Sequence, residues 1–190
     1  MRHVIFPGAV IAVSFVLFGC GEANAPTPSG SIEAPNAAVS AAAQASRSNI
    51  LVNMLDACDQ ATFDAAVGPG TCTRNGGMKF SQFIDLLTRH QTMEAWRFAP
   101  ATIHARVGQT IVATNLGGEA HSFTEVAAFG GGIVPLLNQL TGNAGVVPEC
   151  NPANDIVGPG GTDTETLSEP GTHKFQCCIH PWMRATVDVQ

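Results

Sequence analysis

The spacing of apolar and polar positions changes several times along the chain. Val4 to Phe18, VIFPGAVIAVSFVLF, is an almost unbroken apolar run behind a short basic start. It is too short to span a bilayer comfortably, and it predicts a cleaved export signal over residues 1–19. Gly21 to Ser46, rich in Ala, Pro, Ser and Gly, has no apolar period and reads as a flexible tether within a linker over residues 20–48. From Asn49 the pattern tightens. Ile50, Leu51, Met54, Leu55 and Cys58 recur at helical spacing, which predicts an amphipathic helix. Gly68-Pro69-Gly70 and Asn75-Gly76-Gly77 then punctuate a loop. Ser81 is the expected N-cap of a second helix whose Phe83, Ile84 and Leu87 share one face. Residues 49–92 therefore form a helical N-terminal extension in this reading.

Beyond Ala95 the period falls to two. Ile103, Ala105 and Val107 alternate with His104 and Arg106, a turn is expected at Val107-Gly108-Gln109, and Ile111 to Ala113 continue as a strand. Near the end, His173, Phe175 and Cys177 fall on one strand face. Thr172, Lys174 and Gln176 fall on the other, where Lys174 and Gln176 are expected to meet water. A last alternating strand, Ala185 to Val189, closes the chain. With 20 Gly and 12 Pro among 190 residues, short strands joined by frequent turns predict a mainly β sandwich or barrel.

Charge and cysteines narrow the function. A net charge of −6 excludes nucleic acid as a partner, because phosphate binding needs a basic face. Leu17 to Cys20, LFGC, resembles the lipobox of bacterial lipoproteins, in which the cysteine is lipidated after cleavage before it. That resemblance implies lipidation of Cys20, attachment to a membrane, and a place on the periplasmic or extracellular side. Disulfides are then permitted. Cys58 and Cys72 bracket the loop between the two expected helices and are expected to pair, closing a unit too small to hold itself together. Five cysteines remain after Cys20, so at least one is free or bound to something.

The stretch FQCCIHPWM, Phe175 to Met183, carries the most chemistry. Cys177 continues the inward face of its strand, and Cys178 starts on the other. Cys177, His180 and Met183 are spaced C-x-x-H-x-x-M, and a tight turn can bring the three side chains to one point. A soft thiolate, an imidazole and a thioether, completed by one more imidazole, suit a trigonal copper site with a weak axial methionine. Cys178 leaves a single residue before His180, too tight for the same geometry. Zinc would accept Cys and His, but methionine is a poor zinc ligand.

CCIHPWM resembles the ligand loop of the amicyanins, and GTHKFQC the strand that feeds it. WRFAPATIHARVGQTIVATNLGGEAHSF resembles the early strands of the same family, the cupredoxins or blue copper proteins, in which an Asn ends a strand and a His-Ser-Phe-like segment supplies the other histidine. The resemblance covers residues 93–190. It implies a Greek-key β-sandwich or barrel, preceded here by the small helical segment, and one copper ion per chain held by His121, Cys177, His180 and Met183. It implies electron transfer between Cu(I) and Cu(II) rather than an enzyme, since every position on the metal is filled. It also implies a redox protein partner docking near His180, which is expected close to the surface beside Pro181 and Trp182. The alternative is copper binding, storage or delivery outside the cytoplasm. With Cys177 on the metal, Cys178 faces away from it, and a Cys150–Cys178 disulfide would clamp the long connection from Phe129 to the ligand loop. Cys178 as a second thiolate of a binuclear site is the other option, although the adjacent cysteines do not match the usual binuclear spacing. Glu125, four residues beyond His121 on the same strand face, would suit a Glu-ligated red-copper variant, but Met183 already fills the axial role; His104 is read as a surface or satisfied histidine and His90 as a helix-end group complementing the macrodipole.

Overall fold

The computed structural model describes residues 48–151, 153 and 155–190. The expected signal segment, Cys20 and the tether as far as residue 47 lie outside the described residues. Two four-stranded sheets form a sandwich. The first has the order β2-β1-β4-β8, from Ile50–Leu55 (β1), Arg97–Ala99 (β2), Thr110–Asn115 (β4) and Thr162–Thr166 (β8). The second has the order β3-β10-β9-β6, from Thr102–Ala105 (β3), Thr124–Glu125 (β6), Gly171–Gln176 (β9) and Arg184–Val189 (β10). A short ladder joins His121–Ser122 (β5) to Ile156–Val157 (β7). Among the described residues three α-helices accompany the sheets: Gln60–Ala66 (α1), Phe80–His90 (α2) and Pro135–Leu140 (α3).

The alternation expected of the strands is what builds the core. In β3, Ile103 and Ala105 are buried while Thr102 and His104 are exposed. In β10, Ala185, Val187 and Val189 are buried. Phe175 from β9 stacks on Phe123 with ring centroids 4.4 Å apart, and Phe98 from the first sheet meets Phe123 edge-on at 5.0 Å. Each such fully buried ring contributes about 1.5–3 kcal/mol by leaving water.

Three expectations fail here. The first predicted helix is instead β1, which pairs parallel with β4 (Ile50 opposite Ile111, Met54 opposite Asn115) and antiparallel with β2. Ile50 and Met54, four apart, share a face at period two as well as at period 3.6, and Val52 between them is fully buried while Leu51 is exposed. Pairing across the sheet decides between the two periods. The sandwich therefore begins at Ile50, and the helical part is an insertion between β1 and β2 rather than an extension ending at residue 92. The second failure is a cap. α2 starts at Phe80 with Lys79 as N-cap, the Lys79 N–H donating to Gln82 Oε1 at 3.1 Å, so Ser81 lies inside the first turn. The third is Gln176, which is fully buried rather than solvated. Its amide accepts from the Gly130 N–H at 3.0 Å and faces Cys150 Sγ at 3.8 Å, because the long connection covers that side of β9.

The insertion is held from both ends. Asp59 caps α1, accepting from the Thr62 N–H at 3.1 Å. Cys58 and Cys72 form a disulfide. Phe63, Phe80 and Phe83 cluster on Trp96, with Phe83 and Trp96 centroids 4.9 Å apart. The Thr73 N–H donates to Gly118 O at 2.8 Å, which ties the insertion to the loop that precedes His121. Among the described residues no helix is long and apolar enough to cross a membrane.

Candidate metal centre

Asn115, the last residue of β4, organises the loop that delivers His121. Its side-chain amide donates to Glu119 O and Val157 O, both at 2.8 Å, and its side-chain oxygen accepts from the Gly117 N–H at 2.9 Å. A buried amide with its hydrogen bonds satisfied this way fixes a loop that would otherwise orphan its main chain. β5 then carries His121 inward, opposite Val157. On the other side, β9 ends and the chain turns. The Cys177 N–H donates to Met183 O at 3.0 Å and the Met183 N–H to His180 O at 2.9 Å, closing the C-x-x-H-x-x-M segment on itself.

The turn brings three donor atoms together. His121 Nδ1 and His180 Nδ1 are 3.2 Å apart, and Cys177 Sγ is 3.9 Å from the first and 3.8 Å from the second. Ligands that share one ion at about 2.0–2.3 Å stand at such separations from one another. All three residues are at most 2% exposed, and Met183, also fully buried, belongs to the same turn. The donor set and its spacing thus fit copper with Met183 as the neighbouring thioether. Cys177 is the one free cysteine among the described residues.

The electrostatics favour ligation. Burial pushes the Cys177 thiol up, but its contacts with His121 and His180 outweigh that and hold it well below the usual thiol range. The N–H groups of Ser122 and His180 both point at the sulfur from 3.4 Å. Burial lowers His121, yet the hydrogen bond to Asp56 and the contact with Cys177 raise it to about 9. Both shifts favour a thiolate beside an imidazolium in the metal-free site at neutral pH. A ligand nitrogen must be bare, so metal uptake displaces the proton that His121 carries below about pH 9. We expect about one proton to be released per Cu(II) bound between pH 7 and 8, falling away as the pH passes 9. Calorimetric titration in two buffers of different ionisation enthalpy measures it, and release of two protons or none would contradict this charge state.

Two carboxylates that sequence reasoning did not single out lie behind the histidines. Asp56 Oδ2 is 2.9 Å from His121 Nε2, with both side chains buried. Burial raises Asp56, but hydrogen bonds from His121 and from main-chain N–H groups outweigh it and bring the carboxyl to about 2. Glu119 Oε2 accepts from Trp96 Nε1 at 2.6 Å and lies 3.7 Å from His180 Nε2. Burial pushes Glu119 up, partly offset by His180 and Trp96. Nothing local could have flagged Asp56, since 65 residues separate it from His121.

The remaining sequence candidates sort clearly. Cys150 and Cys178 form a disulfide, which removes Cys178 as a second thiolate. Glu125 is half exposed and hydrogen-bonds His173 Nδ1 at 2.6 Å, away from the three donors. His104 is exposed, 3.8 Å from Asp188, and His90 is exposed at the end of α2. His180 is covered rather than exposed, although it lines a surface groove. It is 2% exposed, Pro181 is buried, and Trp182 is half-buried, 5.4 Å from His180 and 6.0 Å from Phe83. The helical insertion covers this edge. An apolar groove of about 220 Å³ opens between the insertion and α3, lined by Val67, Phe80, Ile84, Leu136 and Ile179 together with His180 and Glu119.

A family model described as copper binding proteins of the plastocyanin/azurin family matches residues 86–190. No curated protein matches the chain. Among solved structures, a novel purple cupredoxin from Nitrosopumilus maritimus is 16% identical, with 74% of this chain and 99% of that one covered and a TM-score of 0.41. A methionine mutant of amicyanin in the Cu(I) form is 22% identical over 50% of this chain and 73% of its own, with a TM-score of 0.34.

Proposed function

As the chain belongs to the plastocyanin/azurin family of copper-binding proteins, we propose that it carries single electrons through one mononuclear copper ion held by His121, Cys177, His180 and Met183. Copper supplies the one-electron couple between Cu(I) and Cu(II). The observation that carries the reading is the convergence of two imidazole nitrogens and one thiolate within 3.9 Å in a fully buried site.

This chain's residues make three contributions. Cys177 would provide the thiolate that couples the metal to the protein, and the Ser122 and His180 N–H groups hold that sulfur in place. His121 and His180 are both buried, so little would need to move when the charge changes. The Asn115 network and the hydrogen-bonded turn from Cys177 to Met183 keep the site assembled without the metal. A redox protein would meet the apolar groove that His180 lines, through the small, weak interface typical of such encounters. Export and attachment through Cys20 would place this exchange at a membrane surface on the periplasmic or extracellular side.

Storage or delivery of copper needs ligands that a recipient can reach, and the burial of all four argues against it. The test is the visible spectrum of the purified protein with added Cu(II). An intense thiolate-to-copper band, bleached by a reductant, restored by an oxidant and retained against a chelator, supports electron transfer. Absence of the band, or ready loss of copper to the chelator, overturns it in favour of copper handling.

A further inference from the structure

We propose that Asp56 is a positioning residue for His121, fixing its tautomer and ring plane, and that its buried negative charge biases bound copper toward Cu(II). The inference rests on the copper reading above and adds what sets the balance between the two oxidation states.

The carboxylate is built in rather than incidental. Oδ2 receives His121 Nε2 at 2.9 Å, the Gly118 N–H at 2.8 Å and the Glu119 N–H at 3.0 Å, and Oδ1 receives the Cys58 N–H at 3.2 Å. Three main-chain donors leave the group no freedom to rotate away. β1 delivers it. Met54 pairs with Asn115, the Leu116 N–H donates to Met54 O at 2.9 Å, and the chain beyond Asp56 is anchored by the Cys58–Cys72 disulfide. The approach also depends on Gly117, where a Cβ would come 2.0 Å from Asp56 Oδ2 and 3.0 Å from His121 Nε2. Strand, disulfide and glycine therefore converge on one contact between residues 65 apart in sequence.

Two consequences follow from that contact. With the proton on Nε2 held by Asp56, the lone pair of the neutral ring is on Nδ1, the atom that faces Cys177 and His180. Only one of the two imidazoles is tied this way, because His180 Nε2 stands 3.7 Å from Glu119, too far for a hydrogen bond. A fixed negative charge across the ring also favours the ion with the larger positive charge, and the dry surroundings leave it little screened.

The experiment uses the full chain carrying Asp56→Asn, which keeps the shape and an acceptor oxygen and removes the charge. Losing an outer partner of a ligand histidine costs roughly 10–100-fold in metal affinity. We expect Cu(II) binding to weaken by at least about tenfold more than Cu(I) binding, which for one electron is a rise in midpoint potential of about 59 mV or more. The visible band should remain. An unchanged potential in a folded, copper-loaded variant overturns the charge bias. The asparagine amide must face a main-chain donor and can weaken the fold, so the unsubstituted protein gives a second reading. Nuclear magnetic resonance of the metal-free and the diamagnetic Cu(I) forms should show a slowly exchanging imidazole proton on His121 Nε2. Rapid exchange of that proton overturns the positioning role. Absence of the visible band in the unsubstituted protein would instead count against electron transfer, and the metal-free spectrum would still judge the tie to Asp56.

Discussion

Cys177→Ser is expected to abolish the visible charge-transfer band of the copper-loaded protein and to weaken Cu(II) binding by more than the roughly 10–100-fold that the loss of an outer partner costs. The sulfur is the only soft donor in the trigonal group, and serine is neither ionised at neutral pH nor a good partner for Cu(I). Cys178 cannot substitute. It is locked to Cys150, its sulfur is 3.1 Å from Thr124 Oγ1, and its carbonyl accepts from the Ile133 N–H. The fold should tolerate the change. A hydroxyl still accepts from the Ser122 and His180 N–H groups, so metal-free stability should move by only about 1–2 kcal/mol, read from a urea melt. A band that survives in the serine variant would remove Cys177 from the metal and with it the proposed path for the electron.

The same residues show which parts of the molecule the sequence exposes. Cys177, His180 and Met183 are legible because seven residues of one turn hold all three, so spacing is geometry. The strands from Ile103 to Ala113 and from Arg184 to Val189 are legible because each has one face in the core. β1 is not, since residues four apart match a helix face and a strand face alike, and the partner that decides lies some sixty residues on in β4. Gln176 reads as solvated but is buried. Alternation places it opposite Phe175, but says nothing about the segment from Gly130 to Cys150 that covers that face. The burial of His180 is a third case. Trp182 stands 5.4 Å from its ring, and Phe83 packs on Trp182 from an insertion that the sequence presents as a separate helical unit. What escapes the sequence at this site is therefore the non-local part: the carboxylates, the cover and the groove.

The Cys150–Cys178 bond is the cross-link whose loss should cost most. Its sequence separation of 28, against 14 for Cys58–Cys72, sets the larger entropy loss in the unfolded chain. By chain entropy alone the two are worth about 3.6 and 3.0 kcal/mol. Replacing both Cys150 and Cys178 with alanine should thus lower the melting temperature of the metal-free protein by roughly 7–14 °C. The native state has little to add to that loss, because other bonds hold the same place. The Ile133 N–H donates to Cys178 O at 2.7 Å, Asn138 bonds both the N–H and the carbonyl of Gly132, and the Cys178 N–H donates to Ser122 Oγ at 2.8 Å. The ligand turn should accordingly keep its shape, and the copper band of the double variant should stay in place at temperatures below its lowered melting point. Calorimetry of the metal-free form and absorbance of the loaded form test the two halves separately. A full loss of the band with an unchanged melting temperature would reverse the assignment, making Cys178 part of the metal site and the disulfide incidental. A fall in melting temperature with the band retained leaves Cys177 as the thiolate and Cys178 as the fastening that ties the long connection to it.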